Sequence, residues 1–146
     1  MLVVLDTNVI VSSLLSTKGA PAKIIGCWEA GEFDVATSVA LLSELERALA
    51  YPKVTKYFGN PQHVISTFLK RFAAVAILSD PKSLTVNAIK RDAPDNRVLE
   101  CAEASGARYI VTGDADLLEL EKFEDIIILS PTEFIRMLDL TDARRS

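Results

Sequence analysis

The chain contains little sulfur and almost no histidine. Two cysteines, Cys27 and Cys101, and one histidine, His63, occur among 146 residues. The cysteine separation fits neither a CxxC metal knuckle nor a disulfide-rich scaffold, so we expect both to be reduced core residues. One histidine excludes a histidine-rich zinc site and leaves any nucleophile–histidine pair a single candidate base. We expect His63 to begin a helix on the surface.

Long apolar runs are also missing. No stretch approaches the roughly 18 to 20 apolar residues that cross a bilayer. The start MLVVLDTN has neither a basic region nor a cleavage site of a signal peptide. We therefore expect a cytoplasmic protein with no membrane partner. With 146 residues, of which 49% are hydrophobic, the prediction is a single domain over 1–146.

Three common phosphate-handling motifs are absent. The six glycines form neither GxGxxG nor GxxxxGK[ST], so no nucleotide cradle is indicated. An aspartyl-phosphate phosphatase or receiver-like domain would also place an aspartate after the first strand, at Asp6. Its Asp-x-Asp-x-Thr pattern needs Asp and Thr at the positions where Asn8 and Ile10 stand. This enzyme class is therefore disfavoured.

An excess of positive charge is missing too. The net charge is −4, from 20 acidic and 16 basic residues, which counts against general attraction to nucleic acid. The objection weakens if several acids gather around divalent cations, because the ions reverse the local field.

What the chain does contain is an alternation of strand and helix patterns. Apolar runs predict strands at 2–5, 33–36, 75–78, 109–111 and 126–129. Helical spacing predicts helices at 9–15, 24–28, 38–50, 63–72, 95–105 and 132–138, with polar connections at 53–61 and 80–94. The helix at 63–72 has a broad apolar face that must be well covered. This order predicts a three-layer α/β/α sandwich with a mainly parallel sheet.

Three aspartates are predicted at one edge of that sheet. Asp6 ends the first strand, Asp114 follows the strand at 109–111, and Asp95 opens a helix. Gathered carboxylates need a cation, and an all-oxygen cluster suits Mg²⁺ or Mn²⁺ better than zinc or copper. Each aspartate is also a good helix N-cap. Asp95 lacks the capping-box form of that alternative, because Val98 occupies the N3 position.

Two further acids have open assignments. Glu44 and Glu46 both lie about 100 degrees from the centre of the apolar stripe of their helix, so periodicity does not choose between them. Asp116 could ligate a second ion or be a first-turn acid favoured by the helix dipole.

Four segments together resemble the PIN-domain nucleases. They are the start VLDTNVIVSSLL, the helix SVALLSELERALAYPKV, the DAPDN helix start and the segment YIVTGDADLLEL, in this order. The resemblance spans nearly the whole chain, and its specificity lies in the combination. In particular, the start and the segment around Tyr51–Val54 look most like VapC-like prokaryotic proteins classed as toxins of toxin–antitoxin pairs.

The resemblance implies roles for individual residues. It carries the family's acids onto Asp6, Glu44, Asp95 and Asp114 as catalytic residues, with Asp6, Asp95, Asp114 and Asp116 as metal ligands. Asp92 competes for the third role, but the spacing to the apolar residues of the helix favours Asp95. Asn8 and Thr112 match polar positions beside the acids, where either could orient a ligand carboxylate or a metal-bound water.

The resemblance also implies an activity. It is endonucleolytic cleavage of RNA with Mg²⁺ or Mn²⁺, leaving 5′-phosphate and 3′-hydroxyl ends, commonly in a homodimer. A toxin would have an antitoxin protein as partner. The alternatives are an RNA-maturation nuclease and a catalytically idle module that binds RNA or protein. Lys53, Lys56 and Arg97 are candidate phosphate contacts, although solvated surface residues are the simpler interpretation.

Overall fold

The computed structural model describes residues 1–57, 62–80 and 93–145. Within them, the strands form one sheet in the order β3-β2-β1-β4-β6-β5. The strands are β1 Leu2–Leu5, β2 Asp34–Thr37, β3 Ile77–Leu78, β4 Tyr109–Val111, β5 Lys122–Phe123 and β6 Ile126–Leu129. All pairs are parallel except β5 with β6, which is antiparallel.

Helices cover both faces of this sheet. They are α1 Thr7–Leu15, α2 Ala20–Glu29, α3 Val39–Leu49, α4 Pro52–Tyr57, α5 Gln62–Val75, α6 Ala93–Ser105, α7 Ala115–Leu120 and α8 Pro131–Arg145. The predicted three-layer α/β/α architecture with a mainly parallel sheet is therefore confirmed.

The central strands are buried on both faces, as their continuous apolar runs indicated. Successive side chains of a strand point to opposite faces. Val3 and Leu5 of β1 therefore join the core under α1, α2 and α8, whereas Val4 between them joins the core under α6 and α7. Burial on both faces explains why these strands show no alternation of polar and apolar residues.

The structure corrects several predicted boundaries. The polar stretch at 53–61 contains a short helix, α4, up to Tyr57, and its remainder lies outside the described residues. The antiparallel edge strand β5 was not predicted. α6 begins at Ala93, so Asp95 lies in its first turn rather than opening it. Most of the connection at 80–94 also lies outside the described residues.

The helix α5 is covered on one side only. Phe72 is buried against Trp28, their ring centroids 5.4 Å apart. Val64, which we expected on a covered face, is 49% exposed, because α5 packs at the margin of the core. His63 is exposed near the start of the helix, as predicted.

Gly106 follows α6 directly, with φ of +75°, a conformation that costs glycine little. Neither cysteine takes part in a disulfide bond; Cys101 is buried and Cys27 is half-buried. Among the described helices, none combines the length and the apolar character needed to span a bilayer.

Candidate metal centre

Asp6 lies at the carboxyl end of the central strand β1. Its backbone N–H donates to the Val111 carbonyl at 2.9 Å, which ties the end of β1 to the end of β4. Its side chain is only 4% exposed and caps α1, accepting from the Thr7 N–H at 2.8 Å. The second carboxylate oxygen accepts from Thr112 Oγ1 at 2.7 Å and from Asn8 Nδ2 at 3.1 Å. Asp6 is thus held rigidly at the sheet edge.

Asp114 lies beyond the end of the neighbouring strand, β4. Its carboxylate is the N-cap of α7 and accepts from the Leu117 N–H at 3.1 Å. Its own N–H donates to Thr112 Oγ1 at 3.0 Å. The cap interpretation therefore holds for Asp6 and for Asp114. A carboxylate has about four lone-pair sites, so a cap does not exhaust its capacity to bind.

Three carboxylates converge at this edge. Among residues 1–57, 62–80 and 93–145, carboxylate oxygens of Asp95, Asp114 and Asp116 all lie within 4.8 Å of one another. Asp95 is 5% exposed, and the other two are half-buried. Asp6 is not a member of this group, but its charge interacts with that of Asp114. Folding therefore brings together side chains that are distant in the sequence.

The position of Asp95 removes the cap interpretation for that residue. Asp95 is the third residue of α6 and lies inside its first turn, so it is not the N-cap. Asp116 lies in the first turn of α7, where a carboxylate is favoured by the helix dipole. Asp92, the competitor of Asp95, lies outside the described residues.

The electrostatics of the site disfavour additional negative charge. The pKa of the Asp6 carboxyl is raised above its ordinary value of 3.8, chiefly because burial penalises the charged form. The charge of Asp114 raises it further, whereas hydrogen bonds from Thr112, Thr7 and Asn8 lower it. Three helix N-termini, those of α1, α6 and α7, carry these acids and offset part of the repulsion. A cation would offset the rest.

The donor set fits a hard divalent ion. Asp95, Asp114 and Asp116 offer carboxylate oxygens only, which suits Mg²⁺ or Mn²⁺ rather than a thiolate- or imidazole-binding metal. The spacing of these oxygens allows one ion to be bound by several residues at once. Partial exposure of Asp114 and Asp116 leaves the site open to solvent.

The two glutamates of α3 differ in their surroundings. Glu46 is exposed and lines a groove between α3 and α5 together with Leu69 and Lys70. Glu44 is half-buried. It does not belong to the group formed by Asp95, Asp114 and Asp116 within the described part of the chain. Burial thus distinguishes two residues that helical periodicity left equivalent.

The candidate phosphate contacts lie in different places. Lys53 and Lys56 are exposed on α4, which packs against α3. The Arg97 side chain is 41% exposed, and its Nε lies 3.2 Å from Oε2 of Glu100 in an ion pair. Part of the positive charge of Arg97 is therefore offset by Glu100 of the same helix.

Glu100 was missed by the sequence analysis. It is 3% exposed and lies on α6 one turn beyond Asn96, which is also buried. The signal available in the sequence was the four-residue spacing of Asn96 and Glu100, which places both polar residues on one side of the helix. The sequence alone did not show that this side of α6 faces the protein interior.

Comparisons with known proteins agree with this fold. Residues 2–116 match the model of the PIN domain family. An uncharacterised protein of Methanocaldococcus jannaschii is 34% identical over 141 residues, covering 91% of this chain and 88% of the relative. A chain in the crystal structure of VapBC2 from Rickettsia felis, bound to a DNA fragment from their promoter, has a TM-score of 0.57. That match covers 89% of this chain and 98% of the other, with 17% sequence identity.

The chain therefore belongs to the PIN domain family. Members of this family are nucleases, generally hydrolases. The resemblance of the four sequence segments is confirmed at the level of the family.

Proposed function

We propose that this protein is an endoribonuclease that requires Mg²⁺ or Mn²⁺, with Asp6, Glu44, Asp95 and Asp114 as catalytic acids. The convergence of Asp95, Asp114 and Asp116 within 4.8 Å supports this proposal most strongly. Asp6, Asp95, Asp114 and Asp116 would be the metal ligands. A bound ion would lower the pKa of a water molecule and stabilise the negative charge of the transition state at phosphorus.

The protein's own residues have separable tasks in this proposal. The buried carboxylate of Asp6 is held by hydrogen bonds from Thr7, Asn8 and Thr112, and the carboxylate of Asp95 is buried as well. Asp114 and Asp116 lie nearer to solvent, on the side from which a substrate must approach. Lys53, Lys56 and Arg97 would contact RNA phosphates, which positions the strand without reading its sequence.

The proposal is tested by removing one acid at a time. Asp95→Asn and Asp114→Asn should each abolish Mn²⁺-dependent cleavage of single-stranded RNA, because each variant removes a charge from the converging group. Cleavage is measured on a labelled oligonucleotide, and circular dichroism verifies the fold. Products should carry 5′-phosphate ends.

The matched control is Asp34→Asn. Asp34 is exposed at the amino end of β2, whereas the acids of the site lie beyond the carboxyl ends of the strands. The same change at Asp34 should therefore leave cleavage unaltered. Undiminished cleavage by both site variants would refute the assignment. Cleavage of single-stranded DNA alone would refute RNA as the substrate.

The biological setting is part of the proposal. The likeness of the fold to a chain of VapBC2 supports a toxin of a toxin–antitoxin pair, with an antitoxin protein as partner. We further propose that the protein acts in the cytoplasm as a homodimer. Light scattering of the purified protein measures its oligomeric state. RNA binding without cleavage in the presence of Mn²⁺ would instead favour the idle binding module.

A further inference from the structure

Asn8 and Thr112 connect the two strand ends that carry Asp6 and Asp114. The Thr112 hydroxyl accepts from the Asp114 N–H at 3.0 Å and donates to Asp6 Oδ2 at 2.7 Å. The Asn8 side chain makes a parallel connection: its Nδ2 donates to Asp6 Oδ2, and its Oδ1 accepts from the Gly113 N–H, both at 3.1 Å. We call these four hydrogen bonds the Asn8–Thr112 brace.

The brace determines which oxygen of Asp6 remains available. Each carboxylate oxygen accepts about two hydrogen bonds through its lone pairs. Among the described residues, Oδ2 receives two donors, from Asn8 and Thr112, whereas Oδ1 receives one, from the Thr7 N–H. Within the part of the chain that the structure describes, the remaining lone pair of Asp6 is therefore on Oδ1.

The direction of each bond is determined by its chemistry. A backbone N–H can only donate, so the Thr112 hydroxyl accepts from Asp114 and its own hydrogen is free to point at Asp6. The same logic orients the Asn8 amide, since the Gly113 N–H requires Oδ1 as its acceptor. Neither side chain could turn without breaking a bond at each strand end.

We infer that Asn8 and Thr112 are positioning residues that restrict Asp6 to binding a single metal ion, through Oδ1 alone. This inference rests on the proposed metal site and specifies which carboxylate oxygen of Asp6 binds the ion. Asp6 would then neither chelate an ion with both oxygens nor bridge two ions. A second ion, where one is bound, would be held by Asp95, Asp114 and Asp116.

The two halves of the brace differ in burial. Thr112 is completely buried, so no water can replace its hydroxyl, whereas Asn8 is exposed and water can substitute for its amide. Loss of Thr112 should therefore matter more than loss of Asn8.

The decisive comparison is Thr112→Val against Thr112→Ser. Valine keeps the shape of threonine without the hydroxyl, and serine keeps the hydroxyl. We expect Thr112→Val to weaken Mn²⁺ binding by about 10- to 100-fold, as loss of residues that support metal ligands typically does. Thr112→Ser should retain most of the affinity, and Asn8→Ala should lose only a few-fold. Isothermal titration calorimetry at a temperature where all variants are folded measures these affinities.

The outcomes separate this inference from the proposed function. If wild type binds Mn²⁺, Asp114→Asn does not, and Thr112→Val binds as wild type does, the positioning role is wrong while the metal site stands. If wild type itself does not bind Mn²⁺, the proposed function fails. Should Thr112→Val not fold, Asn8→Ala and a Mn²⁺-soaked wild-type crystal decide the matter. An ion on Oδ1 alone supports the inference, and an ion in contact with Oδ2 overturns it.

Discussion

At the scale of single residues, one carboxylate can serve two purposes. Asp6 caps α1 through Oδ1 and receives the Asn8–Thr112 brace on Oδ2, while it lies within electrostatic reach of Asp114. The N-cap and metal-ligand interpretations are therefore compatible for Asp6. For Asp95 the structure excludes the N-cap interpretation, because this residue lies inside the first turn of its helix.

The raised pKa of Asp6 predicts how the metal-free protein responds to pH. Because the folded pKa lies above 3.8, folding favours the protonated carboxyl, and the associated stability is present at low pH. This contribution is lost as pH rises through the folded pKa. With EDTA present, the free energy of unfolding should therefore fall more steeply with rising pH in wild type than in Asp6→Asn. Urea denaturation between about pH 4 and about pH 7 measures both slopes.

Asp34→Asn is again the suitable control for this measurement. Asp34 is exposed at the far edge of the sheet, so its replacement should leave the wild-type slope unchanged. Equal slopes in wild type and Asp6→Asn would contradict the prediction.

At the scale of elements, the start of α8 is defined by a local capping motif of two side chains. Ser130 and Glu133 form a reciprocal capping box: the Ser130 N–H donates to Glu133 Oε1 at 2.9 Å, and the Glu133 N–H donates to Ser130 Oγ at 3.2 Å. Pro131 occupies the first helical position, where its missing N–H has no cost. The helix therefore begins before Thr132, where periodicity placed its start.

Removing this cap should destabilise the protein measurably. Ser130→Ala should lower the free energy of unfolding by about 1 kcal/mol, because an N–H at the helix start loses its acceptor. Hydrogen bonds from Ser130 hold the pKa of Glu133 below 4.5, so its contribution is present above that pH and is lost as pH falls. Thr132→Ala, an exposed change in the same turn, should alter stability by less than about 0.5 kcal/mol. Equal urea midpoints for wild type and Ser130→Ala would disprove the capping role.

Other elements show the limits of periodicity. α4 spans only Pro52–Tyr57 and β5 only Lys122–Phe123, lengths at which neither helical nor strand spacing can repeat. Their formation depends on neighbours: α4 packs against α3, and β5 pairs with β6. Such short elements are set by tertiary contacts.

At the scale of the whole molecule, the fold concentrates part of its acidic excess at one sheet edge. The net charge of −4 is modest, yet three carboxylates lie within 4.8 Å of one another. Repulsion among them lowers the stability of the metal-free protein. A cation that binds only the folded state should recover that stability.

Mn²⁺ should accordingly raise the melting temperature. At a concentration about 100 times its dissociation constant, a ligand adds about 2.7 kcal/mol. For a chain of this size, that corresponds to an increase of roughly 5 to 10 °C. Differential scanning calorimetry with Mn²⁺ and with EDTA measures the shift. Asp114→Asn should show little of it, and a wild-type protein that melts at the same temperature in both buffers would argue against a metal site.

The sequence by itself determined the central strands, the long helices and the order of the acidic segments. A strand that is buried on both faces requires a continuous apolar run, and a helix that packs on the sheet requires apolar residues at helical spacing. Both patterns can be read from short segments of the sequence. The ends of β1 and β4 could be located in the same way, which placed Asp6 and Asp114 at a common edge.

Only the tertiary structure decided which side chains meet. Asp95 approaches Asp114 and Asp116 because α6 packs on β1 and β4, and the packing of other helices around α3 leaves Glu44 half-buried and Glu46 exposed. The hydrogen bonds that orient Asp6 join residues 106 positions apart. Local propensity carries no information about such distances, because it is chain packing that brings these groups together.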